Sequence, residues 1–345
     1  VLVPSQLLLE QWRREIEEEI ADATILVCGG GHTKWKATGK LRAHTSPDLG
    51  MNRIVLSTMQ TAATDTFTKA VYGGKHLLIV DDEVHQIGSP FNARAMAIES
   101  GAALGLSATP IRYGDLEGTA KIFKRFGPVL PPPITLQDAI DSGRLVNYEY
   151  HPHPVHLSED EAERWKKLTK QISLELAKSD KAINSKGDLT DKVKMLLIQR
   201  SRIAKKAHVK PGLAAGVICK EYEPGQRWLV YCEDSEQLAK TMELLAAGGL
   251  HPIEYHTGMK GDRPAALEWF TRFGGVLVSI KCLDEGIDIP AVSHAFILAS
   301  SQNPRQFIQR RGRVLRKSEG KTLAVIHDAI VVPLDAENEP EQIAL

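Results

Sequence analysis

Short apolar runs alternate with amphipathic stretches along this 345-residue chain, and this alternation constrains its fold more than any other feature. An apolar run of about four to eight residues is typical of a strand buried on both faces, as in a parallel sheet covered by helices. The alternation therefore predicts an α/β fold with largely parallel sheets. The predicted strands are Val1–Val3, Ile25–Cys28, Arg53–Ser57, Leu77–Val80, Ala103–Leu106, Trp228–Cys232, Pro252–Tyr255, Val276–Ser279, Ala295–Leu298 and Thr322–Ile326.

These strands form two groups of five, separated by a region of different composition. Residues 157–213 are rich in Lys, Glu, Leu and Ala and contain few β-branched runs, so they are predicted to be helical. We therefore predict two α/β domains joined by a helical connection. Their expected limits are 1–130 for the first domain, 131–215 for the connection, 216–335 for the second domain and 336–345 for a tail.

Several helices have recognisable first residues. Ser5 is a good N-cap for an amphipathic helix, and Ser235 is predicted to cap a helix at 235–245. Asn303 followed by Pro304 is a strong start signal for a third helix. In the first helix, the apolar residues that recur at every fourth position are Leu8, Trp12, Ile16 and Ile20.

Charge balance and cysteine usage exclude several protein classes. Lys and Arg together number 43, as do Asp and Glu, so any surface for nucleic acid must be local. The four cysteines form no Cys-x-x-Cys pair, which argues against a zinc ribbon or a disulfide framework and for a reducing compartment. No apolar run is long enough to span a membrane, and no signal peptide is present, so we expect a cytoplasmic protein without a membrane partner.

A cluster of carboxylates follows the apolar run Leu77–Val80. The next residues include Asp82, Glu83 and His85, and the carboxyl ends of strands are where open α/β sheets bind their ligands. In nucleoside triphosphatases, one such carboxylate holds Mg²⁺, usually through water, and the next can orient the attacking water. Asp82 and Glu83 fit these two roles. The alternative is an acidic turn after a core strand.

Two further stretches have residues suited to nucleotide binding. If a helix continues through 309–316, then Gln309, Arg313 and Arg316 lie on one face, where guanidinium groups could bind phosphate oxygens. In the other stretch, Gly286 permits close backbone approach and Asp288 can accept from a ribose hydroxyl. The alternatives are a basic surface helix, with or without bound nucleic acid, and an ordinary polar turn.

Two other groups of side chains have structural interpretations that we favour. A basic run is interpreted as a solvated helix face rather than a nucleic-acid contact, and a histidine-rich segment as structural or exposed rather than metal-binding. The basic run contains Lys192, Lys194, Arg200, Arg202, Lys205, Lys206 and Lys210. The histidines are His151, His153 and His156.

In order and spacing, these elements resemble the motifs of superfamily 2 helicases and translocases, over nearly the whole chain. Within that superfamily, the form of Gly105–Arg112 and the segment Asp141–Val155 most resemble DNA repair helicases and restriction-type translocases. The resemblance implies two RecA-like domains. The matching segments are Val1–Ser5 with Leu8–Trp12 (motif Ia), Leu56–Thr61, Asp82–His85 (the DExH Walker B box), Ser107–Thr109 (motif III), Leu229–Cys232 (motif IV), Tyr255–Gly258, Glu285–Pro290 (motif V) and Gln309–Arg316 (motif VI).

The resemblance also implies ATP and Mg²⁺ as cofactors. It assigns Mg²⁺ coordination to Asp82 and water activation to Glu83, and it makes Arg313 and Arg316 arginine fingers. The residues implied to link the nucleotide site across the interdomain cleft are His85 and Gln309. Those implied to couple this site to nucleic acid are Ser107 and Thr109, and those implied to contact the nucleotide from motif V are Gly286 and Asp288.

The expected partner is DNA, with RNA a weaker alternative. By resemblance, the residues expected to contact nucleic acid are Ser5, Gly30, Thr58, His256 and Thr257. The predicted function is that of the motor core of an ATP-dependent DNA helicase or double-strand DNA translocase. Two alternatives remain open: the motor subunit of a restriction or phage-defence complex with a nuclease or methylase partner, and a nucleic-acid clamp without turnover.

The chain departs from the family pattern at three places. It contains no Gly-x-x-x-x-Gly-Lys-Ser/Thr phosphate loop, and Gly39-Lys40 is followed by Leu41. The family has this loop before motif Ia, so we expect it upstream of Val1 and expect little ATP hydrolysis by residues 1–345 alone. Asp81 stands where the family has an apolar or small residue, which leaves a metal contact from Asp81 as an alternative. Ile280 stands near a position that is often Thr in motif V.

Overall fold

The computed structural model describes residues 1–47, 50, 52–112, 115–178, 190–280, 292–300, 312 and 314–332. These residues form two compact units, one of them Val1–Pro133 and the other beginning at Ile134. Each unit has its own sheet, and all pairs of neighbouring strands in the described residues are parallel. The predicted α/β class with two largely parallel sheets is confirmed. None of the helices in these ranges is long and apolar enough to cross a membrane.

The first unit contains a five-stranded sheet in the order β2-β3-β1-β4-β5. Its strands are β1 (Leu2–Val3), β2 (Thr24–Cys28), β3 (Arg53–Thr58), β4 (Gly74–Asp82) and β5 (Ser100–Leu106). Its helices are α1 (Gln6–Glu19), α2 (Lys40–Thr45), α3 (Met59–Ala62), α4 (Asp65–Ala70) and α5 (Leu116–Phe126). Short 3₁₀ helices lie at Lys34–Lys36, Val84–Gln86 and Asn92–Ala97.

The two faces of this sheet are covered by separate apolar clusters. Leu2 belongs to a cluster with Trp35 and Phe67, whereas its neighbour Val3 belongs to a cluster with Leu9 of α1. Successive side chains of a strand point to opposite faces, so helices must cover both. The result is a layered sheet whose strands all end at one edge.

The second unit contains a six-stranded sheet in the order β6-β11-β10-β7-β9-β8. Its strands are β6 (Asn147–Val155), β7 (Arg227–Cys232), β8 (Ile253–Tyr255), β9 (Gly275–Ile280), β10 (His294–Ile297) and β11 (Leu323–Val331). Its helices are α6 (Leu136–Asp141), α7 (Glu159–Ala177), α8 (Asp191–Lys205), α9 (Lys210–Glu221), α10 (Ser235–Ala247) and α11 (Arg263–Phe273). The core includes Trp228, Val230 and Phe296, which are fully buried.

All ten predicted strands are present, and the described part of 157–213 is mostly helical, as predicted, with α7, α8 and the start of α9. Strand β6 was not predicted, and it contains Pro152 and Pro154. It tolerates them because it lies at the sheet edge. The carbonyl of Val155 accepts from Val332 N, so odd-numbered residues of β6 direct their backbone groups toward β11. The two prolines therefore have their nitrogen atoms on the open side, where no ladder bond is lost.

Of the three predicted helix starts, one is confirmed, one differs, and one lies outside the described residues. Helix α1 begins as predicted, with Ser5 Oγ accepting from Leu8 N. The cap of α10 is Asp234 rather than Ser235, since the Asp234 side chain accepts from Gln237 N. Aspartate caps a helix as well as serine does, and Asp234 directly precedes Ser235. Asn303 and Pro304 lie outside the described residues.

Candidate active site and nucleic-acid contacts

Asp82 is the last residue of β4, between β1 and β5. Its Oδ1 accepts from the Glu83 backbone N–H at 2.9 Å, and its Oδ2 accepts from the Trp12 indole Nε1–H at 2.8 Å. Each oxygen can accept a further hydrogen bond. A half-buried carboxylate of this kind suits Mg²⁺, which binds oxygen and keeps several of its waters. The donor set therefore fits the predicted contact through water.

Asp81 occupies the opposite face of β4 and is only 1% exposed. Burial raises the pKa of Asp81 to about 7, and the positive charges of the Val1 amino group and Arg125 oppose this rise. A hydrated ion cannot reach a side chain this deeply buried without rearrangement. Asp82, rather than Asp81, is therefore the carboxylate of this strand that suits the metal.

Glu83 has φ 51° and ψ 47°, and among the described residues no other non-glycine residue has a positive φ. Such a conformation is uncommon outside glycine, and strained backbone is concentrated at functional positions. The Glu83 carboxylate lies 3.3 Å from Nδ1 of His85, which is 4% exposed. The backbone turn thus directs Glu83 back toward His85, at the end of the strand.

His85 also connects this turn to the predicted coupling residues. Its Nδ1 lies 3.3 Å from Ser107 Oγ, which in turn accepts from the Thr109 N–H at 3.1 Å. Glu83, His85, Ser107 and Thr109 are therefore brought together at the ends of β4 and β5. These contacts agree with the grouping predicted by resemblance, whereas their catalytic roles stay predictions.

Arg112 was not singled out in the sequence, although it ends the Ser-Ala-Thr-Pro-Ile-Arg stretch. Its guanidinium donates to the carbonyl oxygen of His85 and, at 2.6 Å, to the Asp115 carboxylate. Asp115 also caps α5 by accepting from Gly118 N at 2.7 Å. Arg112 therefore ties the segment that carries His85 to the start of α5. An arginine placed directly after motif III was the available signal.

Gly105 allows β5 to lie close to the same segment. A Cβ at this position would lie 2.8 Å from Cγ2 of Val84, which is too close for two carbon atoms. Val84 lies between Glu83 and His85 and is buried. Glycine at position 105 thus allows the segment Glu83–His85 to pack closely on β5.

Three residues predicted to contact nucleic acid lie together in the first unit. Ser5 follows β1, Gly30 follows β2, and Thr58 is the last residue of β3. These three strands are neighbours in the sheet. A Cβ on Gly30 would lie 3.0 Å from the side chain of Gln6, and one on Gly29 would lie 2.6 Å from Thr58 Oγ1. The glycine loop therefore packs directly against the starts of α1 and α3.

Thr58 is less accessible than the other two. It is 7% exposed, and its hydroxyl donates to Thr61 Oγ1 at 2.9 Å while it accepts from Thr61 N. The side chain therefore stabilises the start of α3. Ser5 and Gly30 are half-buried and lie nearer to the solvent.

The other two predicted contact residues, His256 and Thr257, follow β8 in the second unit. His256 Nδ1 accepts from Gly258 N at 3.0 Å, and its Nε2 lies 2.6 Å from a carboxylate oxygen of Glu254. These bonds fix the ring and place the proton on Nε2. Thr257 is exposed beside it.

Of the three residues predicted to share a helix face, the structure describes only Arg316. The helical segment gives way to a turn at Leu315, and Arg316 makes an isolated backbone bridge with Leu145. Arg316 is therefore not on a helix, and the i, i+7 spacing does not apply to it. Gln309, Arg313, Gly286 and Asp288 lie outside the described residues.

The basic run makes mostly contacts within its own unit. Lys192 pairs with Glu175 at 2.8 Å, and Lys206 pairs with Asp234 at 2.7 Å. Lys210 contradicts the interpretation as a solvated face, since it is 1% exposed. The apolar surface of α9 packs on the second sheet and carries the first turn of that helix, including Lys210, into the interior.

Two histidines of β6 stack against His327 of the neighbouring strand β11. His153 Nε2 lies 2.9 Å from Nδ1 of His327, and the rings of His151 and His327 stack at 5.1 Å. Burial, together with the smaller effect of the neighbouring histidines, lowers the pKa of His327 to about 4. No three His, Cys, Asp or Glu side chains are placed to hold a metal ion in the part of the chain that the structure describes.

Both units of the chain resemble known proteins in sequence. Residues 1–112 match the family model described as the type III restriction enzyme res subunit, and residues 213–318 match the helicase conserved C-terminal domain. The chain is 25% identical over 344 residues to the DNA 3'-5' translocase XPB2 of Sulfurisphaera tokodaii. This alignment covers 94% of the present chain. These matches support a helicase or translocase of superfamily 2. The chain is also 26% identical over 331 residues to a putative DNA 3'-5' helicase Rad25 of Haloarcula marismortui.

The solved structures that resemble this chain support the same fold. A type ISP restriction-modification enzyme, LlaBIII bound to DNA, aligns with 96% of the chain at a TM-score of 0.61 and 18% identity. The Hef helicase domain of Pyrococcus furiosus aligns with 96% of it at a TM-score of 0.54 and 15% identity. The chain spans 70% of XPB2, 45% of Rad25, 24% of LlaBIII and 86% of the Hef domain. Two RecA-like α/β units, as predicted, agree with these likenesses.

Proposed function

We propose that this chain is the motor core of an ATP-dependent DNA helicase or double-strand DNA translocase. The observation that carries the proposal is the set of contacts from Glu83 through His85 to Ser107 and Thr109. These contacts connect a candidate catalytic carboxylate to the segment that follows the next strand of the sheet. The names of the relatives XPB2 and Rad25, both described as acting on DNA, support DNA over RNA.

In this proposal, the first unit supplies the metal and water chemistry. Asp82 is held at both oxygens, by the Glu83 backbone and by Trp12, and it would hold a hydrated Mg²⁺ ion. When bound, Mg²⁺ neutralises charge on the phosphates of ATP. Glu83 accepts a proton from the attacking water, and His85, held by Ser107, fixes the direction of that carboxylate.

The arginines of motif VI are the proposed source of positive charge in the second unit. An arginine of this kind can contribute on the order of 10³–10⁵ in rate by stabilising charge in the transition state. We assign this role to Arg313 and Arg316, and the nucleotide contacts of motif V to Gly286 and Asp288. Gln309 acts with His85 in linking nucleotide binding to nucleic acid.

The nucleic-acid contact is proposed to have a part in each unit. In the first, Ser5 and Gly30 would bind phosphates beside Thr58, because helix starts and glycine loops present backbone N–H groups to anions. In the second, Thr257 and the fixed ring of His256 would do so. A change in the separation of these two parts during each ATP cycle would move the protein along the nucleic acid.

The experiment uses the gene-encoded protein, meaning residues 1–345 with whatever sequence the gene places before and after them. Its ATPase rate is measured with and without double-stranded DNA, for wild type, Glu83→Gln and the exposed control Glu99→Gln. We expect DNA to stimulate turnover, and we expect Glu83→Gln alone to abolish it while DNA affinity is kept. Unchanged turnover in Glu83→Gln would refute its role, and DNA binding without turnover in wild type would favour the clamp.

A restriction-type motor subunit is the second candidate, favoured by the match of residues 1–112 to the res-subunit model. This candidate requires a nuclease or methylase partner. Affinity purification of the gene-encoded protein from its own cells, followed by a DNA-cleavage assay, distinguishes the two. ATP-dependent cleavage that needs a co-purifying subunit would favour the restriction motor, and RNA-specific stimulation would contradict both.

A further inference from the structure

Trp12 makes a polar contact that its place in the sequence did not predict. The residue belongs to the apolar stripe of α1, yet its indole Nε1–H donates to Oδ2 of Asp82 at 2.8 Å. Asp82 Oδ1 accepts from the Glu83 N–H at 2.9 Å. Both oxygens of the candidate metal carboxylate are therefore held by donors of this chain.

These two hydrogen bonds restrict the terminal side-chain torsion of Asp82. The terminal torsion of Asp is broad, so one hydrogen bond leaves its plane poorly defined. A second donor, on the other oxygen, fixes the plane and leaves one lone pair of each oxygen for other donors. Hydrogen bonds to an ionised acceptor are also stronger than those between neutral groups.

The indole itself is held firmly. Trp12 packs against the cluster of Val3, Leu9 and Leu56, which are fully buried between α1 and the sheet. A large rigid ring with two side-chain torsions loses little further entropy when it donates one hydrogen bond. The position of the N–H is thus determined by the packing of α1 on β1 and β3.

We infer that Trp12 is a positioning residue that aims the Asp82 carboxylate at the hydrated Mg²⁺ ion of the ATPase reaction. This inference rests on the proposed function, because it assigns Asp82 to the metal. Partners that hold a metal-binding carboxylate typically change metal affinity or activity by about 10- to 100-fold when they are lost. In this role Trp12 acts through Asp82.

The first experiment tests the contact without any nucleotide. The indole N–H signals of the 345-residue chain, which has five tryptophans, are recorded by ¹⁵N NMR and assigned by single Trp→Phe variants. A hydrogen bond to a carboxylate moves the indole proton downfield. Asp82→Ala should therefore move the Trp12 signal upfield and leave that of Trp269, on the exposed face of α11, in place. A Trp12 signal that does not respond to Asp82→Ala would overturn the inference.

The second experiment measures the Mg²⁺ concentration that gives half-maximal ATPase rate in the gene-encoded protein. Trp12 is replaced by benzothienylalanine, which keeps the ring shape but has sulfur in place of N–H, and by Phe; Trp269→Phe is the control. We expect the half-saturating Mg²⁺ concentration to rise about 10-fold or more in both Trp12 variants, with a smaller change in the rate at saturating Mg²⁺. A structural role alone would instead lower the urea midpoint of Trp12→Phe and leave the benzothienylalanine variant like wild type.

The outcomes separate this inference from the proposed function. Absence of Mg²⁺-dependent ATPase in the wild-type gene-encoded protein would refute the proposed function, and with it the role of Trp12. An active wild type, together with a benzothienylalanine variant that keeps the wild-type Mg²⁺ dependence, would refute the inference alone.

Discussion

Lys210 offers the most quantitative prediction, because a buried lysine makes stability depend on pH in a defined direction. Its ammonium group is 1% exposed and donates to the carbonyl oxygen of Leu298 at 2.8 Å. Burial lowers the pKa of Lys210 from 10.5 to about 8, while the nearby Asp328 raises it. We predict that Lys210→Met changes the free energy of unfolding differently at neutral and alkaline pH.

The magnitude follows from the shift in pKa. Each pKa unit corresponds to about 1.4 kcal/mol, so the charged form of Lys210 costs the folded state roughly 3 kcal/mol. Below pH 8 the lysine is charged in both states, and the folded state bears this whole cost. Between pH 8 and 10.5 the unfolded state binds more protons, so the stability of wild type rises with pH. Above 10.5 the cost is gone.

The variant lacks this titration but also lacks the bond to Leu298, which costs about 1–3 kcal/mol at every pH. Relative to wild type, Lys210→Met should therefore lose roughly 3 kcal/mol of stability between pH 7 and 10.5. At pH 7 it should be close to wild type, and at pH 10.5 clearly less stable.

Urea unfolding at several pH values, followed by tryptophan fluorescence, measures this difference, because Trp228 is fully buried in the same unit. Lys240→Met, on the exposed surface of α10, is the matched control and should change stability by less than about 0.5 kcal/mol at each pH. A difference between Lys210→Met and wild type that stays constant from pH 7 to 10.5 would show that the lysine is not buried as described.

Three further predictions concern the first unit and the nucleic acid. A Cβ at Gly29 would lie 2.2 Å from Thr61 Oγ1, whereas a Cβ at Gly31 would have no neighbour within 4 Å. Gly29→Ala should therefore lower the free energy of unfolding in urea by about 1–3 kcal/mol more than Gly31→Ala. Equal losses of stability would contradict the packing. Ser107→Ala removes the hydroxyl between His85 and Thr109, so fewer base pairs should be travelled per ATP hydrolysed; an unchanged ratio would argue against coupling. DNA affinity should fall steeply as salt rises, and a salt-independent affinity in fluorescence anisotropy would contradict phosphate contacts.

The strands were predictable because both faces of each sheet are covered. Burial on two sides demands apolar runs such as Trp228–Cys232, which stand out in any sequence. The strand β6 was missed because its edge position, which makes its prolines harmless, depends on pairing with a strand about 170 residues later in the chain. Such long-range pairing leaves no local signal.

The candidate site was predictable where chemistry requires particular residues at particular spacings. Asp82, Glu83 and His85 could be picked out because they follow a buried strand, and resemblance grouped them with Ser107. The residues that hold these side chains in place by hydrogen bonds could not be predicted from the sequence in the same way. Trp12 has the spacing of a core residue, and whether an indole N–H meets a carboxylate depends on how α1 packs. Arg112 likewise acts on a backbone oxygen, which has no sequence signature.

The helix considered for 309–316 does not continue to Arg316, for a related reason. The 309–316 stretch has helical spacing, but Leu315 and Arg316 are drawn into backbone contacts with Val146 and Leu145. Tertiary pairing overrides a weak local preference of this kind.

The most direct test of the account is whether the gene-encoded protein moves along DNA at the expense of ATP. Displacement of a labelled third strand from a DNA triplex reports such movement, in wild type and in Glu83→Gln. The account predicts displacement by wild type only when ATP and Mg²⁺ are present, and none by Glu83→Gln at equal DNA occupancy. Tight DNA binding by wild type without ATP-dependent displacement would contradict the assignment of this chain as a motor.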